Sequence, residues 1–313
     1  MKNKLVYKYI GKVLIAFAAL MILPMIVCII NKENVIPFFI PSLISLSLGF
    51  IFNSFKIKNK ILYAKDGFII VALSWIIISL IGALPLFINK DASFIDSLFE
   101  AVSGLTTTGA TIFKDVECLG KGILFWRAFM HFIGGMGVLA FVMAVIPLAN
   151  NDKSMHVLKA EMPGPSVSKL VPGIKKTLFY LYGIYIALTV VECILLMIGG
   201  LPFFDSLLTA FSTAGTGGFA TLNSSAATYS LFNKYVVAIF MFLFGVNFNI
   251  YFLILMKDIK TALRSEELKV YLLLFVVSVL FIFVNTLSMF NNIGQAFNES
   301  FFHVSSIMTS TGM

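Results

Sequence analysis

Three short stretches of this 313-residue chain carry residue types that could handle a bare cation: TTTGATIF at 106–113, AGTGGFATL at 214–222 and MTSTGM at 308–313. Each sets hydroxyl residues against glycine, and none contains a carboxylate. Glycine adopts backbone dihedrals closed to other residues, so neighbouring carbonyl groups can be turned toward a common axis. A ring of such carbonyls replaces the hydration shell of a monovalent cation. An acidic ring for divalent ions is missing from the loops, and so are the Arg, Lys or helix N-termini that an anion path would use. The candidate ion contacts are Thr107, Thr108 and Gly109, then Thr216, Gly217 and Gly218, then Ser310, Thr311 and Gly312.

The three stretches are copies of one unit. Aligned on Gly109, Gly218 and Gly312, they place Asp96, Asp205 and Glu299 thirteen residues earlier. Ser97, Ser206 and Ser300 stand twelve earlier, and Ser103, Ser212 and Ser306 six earlier. IGALP at 81–85 and IGGLP at 198–202 extend the match upstream of the first two copies. Each copy predicts a short helix entering from one side, a glycine loop, and a longer returning helix. The acid-Ser pair fits the N-cap region of the short helix, where a carboxylate satisfies free N–H groups and the positive dipole end. That reading is preferred to direct ion contact. Small residues also let membrane helices pack closely, which accounts for GGMG at 134–137 but not for a threefold repeat with a fixed upstream acid.

What must carry these loops is a membrane-spanning scaffold. The sequence is 59% hydrophobic and 12% charged, against about 45–50% and about 25% in water-soluble domains. A spanning helix needs about 20 apolar residues, and seven segments qualify: 9–30, 35–55, 67–89, 123–149, 177–200, 231–256 and 269–290. The N-terminal run reaches Ile30 without a small-residue cleavage site and reads as a retained helix. The fold class is therefore an all-α integral membrane protein of repeated helix–loop–helix units. Two extra N-terminal helices lie in 1–60, a first unit in 61–152, a second in 153–260, and an incomplete third in 261–313. With the N-terminus in the cytoplasm and the three short segments dipping in from outside, 17 of the 23 basic residues fall on the cytoplasmic side, as the positive-inside rule demands. The acids Glu33, Asp91, Asp96, Glu100, Asp115, Glu117, Asp205 and Glu299 then line the outside or the dips. Such a vestibule would concentrate cations, though acids are also simply tolerated there.

Other chemistries fare worse. The net charge of +8 is explained by topology, so no nucleic-acid partner is expected. Cys28, Cys118 and Cys193, like His131, His156 and His303, are scattered, which supports neither a zinc site nor a disulfide framework. Serines near His131 or His303 lie in no GxSG-type nucleophile loop and beside no paired acids, so an enzyme is not expected.

At these residues the chain resembles the Trk/Ktr/HKT superfamily of potassium transporters. FEAVSGLTTTGATI (99–112), FWRAFMHFIGGMGVLAFVMAVIP (125–147), STAGTGGFATLNSS (212–225), GVNFN (245–249) and SSIMTSTGM (305–313) carry the likeness. The two extra helices resemble the TrkH/TrkG branch. The resemblance implies potassium uptake across the bacterial inner membrane through a carbonyl filter, four units around one pseudo-fourfold pore, a homodimer, and a cytoplasmic nucleotide-binding regulatory subunit of the TrkA type. Potassium is then the transported substrate, with no organic cofactor. Filter glycines in all three loops go with potassium preference. Because the family has a third returning helix and a fourth unit beyond residue 313, the chain reads as a fragment. A non-conducting piece and a weakly selective K+/Na+ channel are the alternatives, and both symport and gated conduction stay open.

Single residues carry further expectations. Glu192, an acid in mid-span, predicts an interhelical hydrogen bond in preference to proton coupling. Trp126 and Arg127 predict an anchor at the outer interface, His131 a packing or hydrogen-bonding role, and His303 no fixed ligand role. The basic 153–176 stretch suits anionic lipid or a cytoplasmic partner.

Overall fold

The computed structural model describes residues 4–55, 64–137, 174–290 and 292–313. The basic stretch at 153–176, the distal part of the expected 123–149 span and the lysines at 56–60 lie outside the described residues, apart from the backbone of residues 174–176.

Every regular element among the described residues is helical. Helices α1 (Lys4–Leu20) and α2 (Ile22–Ile30) form one apolar rod, followed by α3 (Ile36–Asn53) and α4 (Ala64–Ile88). The rod and α3 approach closely because both contact residues are glycines: a Cβ on Gly11 would sit 2.8 Å from the Gly49 carbonyl oxygen. Ser45 and Ser42 donate across the same contact to the carbonyls of Leu14 and Ala18. Such small-residue contacts hold helices together where lipid removes the hydrophobic drive.

A module then begins on α4 and recurs. The short α5 (Phe94–Leu105) is followed by a loop and the returning α6 (Lys121–Gly135). The second module has a long α7 (Ile174–Ile198), a short α8 (Phe203–Ala214) and a returning α9 (Leu231–Gly245). After α10 (Phe248–Leu255) and α11 (Ile259–Arg264) come the long α12 (Glu266–Thr286) and the short α13 (Ile293–Met308). Helices α5 and α8 have 12 residues each, about 18 Å at 1.5 Å per residue, well short of a ~30 Å hydrocarbon core. Each long helix packs on its own short helix, and each returning helix packs on the short helix of the next module, α6 on α8 and α9 on α13.

Two expectations are corrected. The span expected at 231–256 is two helices bent by 88°. Both returning helices stop after 15 residues, at Gly135 and Gly245. After Gly245 the chain turns extended at Val246, and Asn247 starts α10 by accepting from the Asn249 N–H. Tyr251 and Tyr271 donate to the carbonyls of Leu243 and Phe242 at 2.7 and 3.0 Å. These bonds satisfy helix-end acceptors that lipid could not. The second correction concerns the third short helix. It begins at Ile293 on an Asn292 N-cap, so Glu299 lies mid-helix and caps nothing.

Candidate functional site

The three glycine loops have the same backbone. The residue two before each key glycine takes a left-handed conformation: Thr107 at φ 55°, Thr216 at 52° and Ser310 at 59°. The glycines follow at 77°, 81° and 73°, and the residue between keeps a negative φ. A β-branched threonine at positive φ is strained, by about 1–3 kcal/mol. Its recurrence at one register marks these positions as shaped for a task. Each loop is hung from its short helix by paired bonds. Thr107 and Thr108 N–H groups reach the Gly104 and Ser103 carbonyls, and Thr216 and Gly217 reach Thr213 and Ser212. In the third, Ser310 reaches Ile307 while Gly312, instead of Thr311, reaches Ser306.

The loops also touch one another. A Cβ on Gly109 would overlap the Gly217 carbonyl oxygen, and one on Gly218 would overlap that of Thr311. Each of these glycines therefore receives the carbonyl of the next loop at a distance no side chain permits. The structure thus brings all nine candidate residues into three adjoining loops, with Gly217 and Thr311 buried and Thr108 and Ser310 exposed. The hydroxyl residues at positive φ are the part that glycine-based reading did not anticipate.

Behind the first loop stands a buried ion pair. Arg127 Nε lies 2.7 Å from Glu100 Oε1, with the two side chains 2% and 0% exposed. The carboxylate also accepts from Thr111 Oγ1 at 2.9 Å and the Ile112 N–H at 3.0 Å. Arg127 donates a second bond to Thr111 at 3.1 Å. One carboxylate on α5 and one guanidinium on α6 thus tie down the strand leaving the loop. This overturns the reading of Trp126 and Arg127 as an interfacial anchor. Both are buried, and the Trp126 indole donates to the Gly82 carbonyl of α4 at 3.0 Å. An acid in α5 and a base in the next helix was the available signal, since intramembrane charges pair.

The second loop is held by hydroxyl hydrogen bonds. Thr209 and Tyr229 hydroxyls bond at 2.9 Å, and Thr221 donates to Asp205 at 2.9 Å. Phe219, just past Gly218, meets two α6 side chains. The His131 ring stacks on it at 4.1 Å between centroids, and the Arg127 guanidinium lies 4.2 Å from its centroid. His131 Nδ1 lies 3.1 Å from Ser212 Oγ, as a hydrogen-bonding role requires. Glu192 of α7 is wholly buried and faces Thr213 on α8, although neither carboxyl oxygen has an ordinary hydrogen-bond partner. GGMG packs as expected, Gly134 against the Leu105 carbonyl and Gly135 against Gly215. Asp96 and Asp205 both lie in the first turn of their short helices, three residues past the N-cap, and Asp96 also bonds the N-cap Ser93 at 2.7 Å. Glu299 instead pairs with Lys234 of α9 at 2.7 Å, and the exposed His303 lies 3.8 Å from it.

On the expected outer side the first two modules are clasped by one amide. Asn223 accepts from the Val116 N–H at 2.8 Å and donates through its amide to Asp115 at 2.8 Å and through its backbone to Glu117 at 2.9 Å. The Cys118 thiol hydrogen bond, then the Asn223 bond, hold the Asp115 carboxyl below the ordinary aspartate value. The same bond to Asp115 pushes the Cys118 thiol up. Glu33, in the turn after α2, accepts from the N–H groups of Lys121 and Gly122 at 2.7 and 2.9 Å. It caps α6 from the N-terminal hairpin.

The family model for TrkH, described as a cation transport protein, matches residues 30–310. The chain is 36% identical to the Trk system potassium uptake protein TrkG of Escherichia coli strain K12, over 94% of its own length and 62% of that protein's. It is 31% identical to TrkH of Salmonella typhimurium over its full length and 66% of the relative. The crystal structure of the potassium transporter TrkH from Vibrio parahaemolyticus superposes with a TM-score of 0.85 at 26% identity, covering all of this chain and 66% of that one. The chain thus spans 62–66% of the length of these relatives.

Proposed function

The chain belongs to the TrkH family of cation transport proteins, and on that premise we propose that it builds most of a potassium uptake pathway across the bacterial cytoplasmic membrane. The family transports cations and is not a family of enzymes. The nine loop residues Thr107, Thr108, Gly109, Thr216, Gly217, Gly218, Ser310, Thr311 and Gly312 are assigned as the filter. The observation that carries this reading is the shared backbone, with positive φ on alternate residues in all three loops. An ordinary strand points successive carbonyls to its two opposite edges. Alternating handedness turns them to one side, the arrangement a dehydrated cation needs. The short helices add their negative C-terminal ends at the same place.

The relatives are named as potassium uptake proteins, which supports potassium as the transported ion. The two-helix start at 1–60 and units at 61–152, 153–260 and 261–313 are the proposed organisation, within a pore that is pseudo-fourfold in the whole protein. A homodimer and a TrkA-type cytoplasmic subunit are the proposed partners, beside membrane lipid. The lysine distribution supports a cytoplasmic N-terminus.

Gly109→Ser tests the assignment. Gly109 combines φ 77° with the carbonyl of Gly217 against its Cα, so any side chain must displace the loop. In a potassium-uptake-deficient strain expressing the full coding sequence, the K+/Na+ preference should fall while membrane protein levels hold. Unchanged selectivity would remove Gly109 from the filter.

A further inference from the structure

The three loops share a backbone but not the means of holding it. In the first, the Thr106 hydroxyl bonds to that of Thr108 at 2.8 Å and donates to the Val102 carbonyl at 2.7 Å. In the third, Thr309 bonds Thr311 at 2.8 Å and donates to the Ser305 carbonyl at 2.6 Å. These hydroxyl pairs bridge the positions three before and one before the key glycine, across the strained residue between. In the second loop those positions are Gly215 and Gly217, so the bridge cannot form.

The space is filled from another module. A Cβ on Gly217 would overlap the Nδ1, Cγ and Cε1 atoms of the His131 ring, and one on Gly215 would overlap the His131 carbonyl. Neither glycine has positive φ, so the backbone at these two positions would accept a side chain, and the obstacle is His131. The ring adds the 3.1 Å approach to Ser212, whose carbonyl receives the Gly217 N–H, and it stacks on Phe219 beyond Gly218. His131 stands eleven residues past the N-cap of α6, and the matching position of α9 is Met241. That helix faces the third loop, which has its own hydroxyl bridge.

We propose that His131 replaces the hydroxyl bridge of the second loop: an imidazole from the first module is the positioning residue for the Thr216–Gly218 filter segment. This rests on the filter reading above. Neighbouring loops abut through the Gly109–Gly217 and Gly218–Thr311 contacts, so slack in the second loop would loosen both junctions.

The test is a reciprocal pair, His131→Ala and Gly217→Ser, made singly and together in the full coding sequence. Thermal unfolding of the purified protein in detergent is read beside the K+/Na+ preference of uptake. Each single change should lower the unfolding temperature, and each should cut the preference by about tenfold, what ~1.4 kcal/mol of lost support produces. The double variant should recover most of both, because the serine enters the vacated space. His131→Asn, which keeps a group in reach of Ser212, should fall between wild type and His131→Ala. The proposal is overturned if Gly217→Ser is tolerated beside His131, or if the double variant is as impaired as the two singles combined. It is also overturned if unfolding temperatures recover while ion preference does not, for His131 would then be packing alone. A wild type that carries no potassium would reject the filter reading, and with it the positioning role, whereas the unfolding cycle would still decide whether the ring fills the place of a side chain at 217.

Discussion

The first and second modules repeat a 12-residue short helix and a 15-residue returning helix, yet the first secures its loop with a buried ion pair and the second with hydroxyl hydrogen bonds, one of them to the Asp205 carboxylate. Glu100 on α5 corresponds to Thr209 on α8, nine residues before the key glycine in each. Arg127, seven past its N-cap, corresponds to Val237. The backbone is what the repeat reproduces, and side-chain chemistry is a local solution to holding it. The two solutions differ in how they fail. A buried charge depends wholly on its partner, whereas a hydroxyl pair loses only its own bond.

The sharpest way to break this comparison is Arg127→Leu. Glu100 would keep its bonds from Thr111 and Ile112 but lose its countercharge, at a cost of about 3–5 kcal/mol. Thermal unfolding in detergent should register this as a collapse of folded protein. Glu100→Leu/Arg127→Leu should be milder than Arg127→Leu alone, and equal damage would show that charge pairing is not what the first module relies on. In the second module, Thr209→Val or Tyr229→Phe should cost only about 1 kcal/mol. A loss there as large as in the first would erase the distinction. Glu33→Gln probes the cap that α6 receives from the N-terminal hairpin, with about 0.5–1 kcal/mol expected from weakened N-terminal capping.

The smallest effect lies at the outer clasp. A carboxyl held below its usual value contributes stability above the unfolded pKa and loses it as pH falls below. Asp115 therefore should keep the clasp closed from pH 8 down to pH 5 and release it only in stronger acid. Cys118, pushed up by the same bond, should react slowly with alkylating reagents at pH 8 for an exposed thiol. Asp115→Asn should speed that reaction, and an unchanged rate would dismiss the hydrogen bond as the cause.

Much of this was legible in the sequence, for identifiable reasons. Hydropathy and length mark the long helices because a bilayer imposes both. The glycine register exposed the three loops because a backbone requirement leaves residue types behind. The bend after Gly245 was hidden, since GVNF continues an apolar run and the bonds from Tyr251 and Tyr271 that permit it are tertiary. Arg127 was misplaced because position along a span gives depth but not the facing side chain. The His131 contact with Ser212 joins residues 81 apart, beyond any local pattern.

That separation has a consequence in time. Membrane helices enter the bilayer in order as the ribosome delivers them, at about 5–20 residues per second. Glu100 and Arg127 are 27 residues apart and find each other almost as soon as α6 emerges. His131 must wait for Ser212 and Phe219, roughly 4–16 s later at that pace. During the interval an imidazole sits among apolar helices without its partner, and the first glycine loop lacks the Gly217 carbonyl that packs against Gly109. The nascent protein thus passes through a stage when one loop is finished and the next has yet to be made, and the junction between the first two loops waits on the arrival of α8.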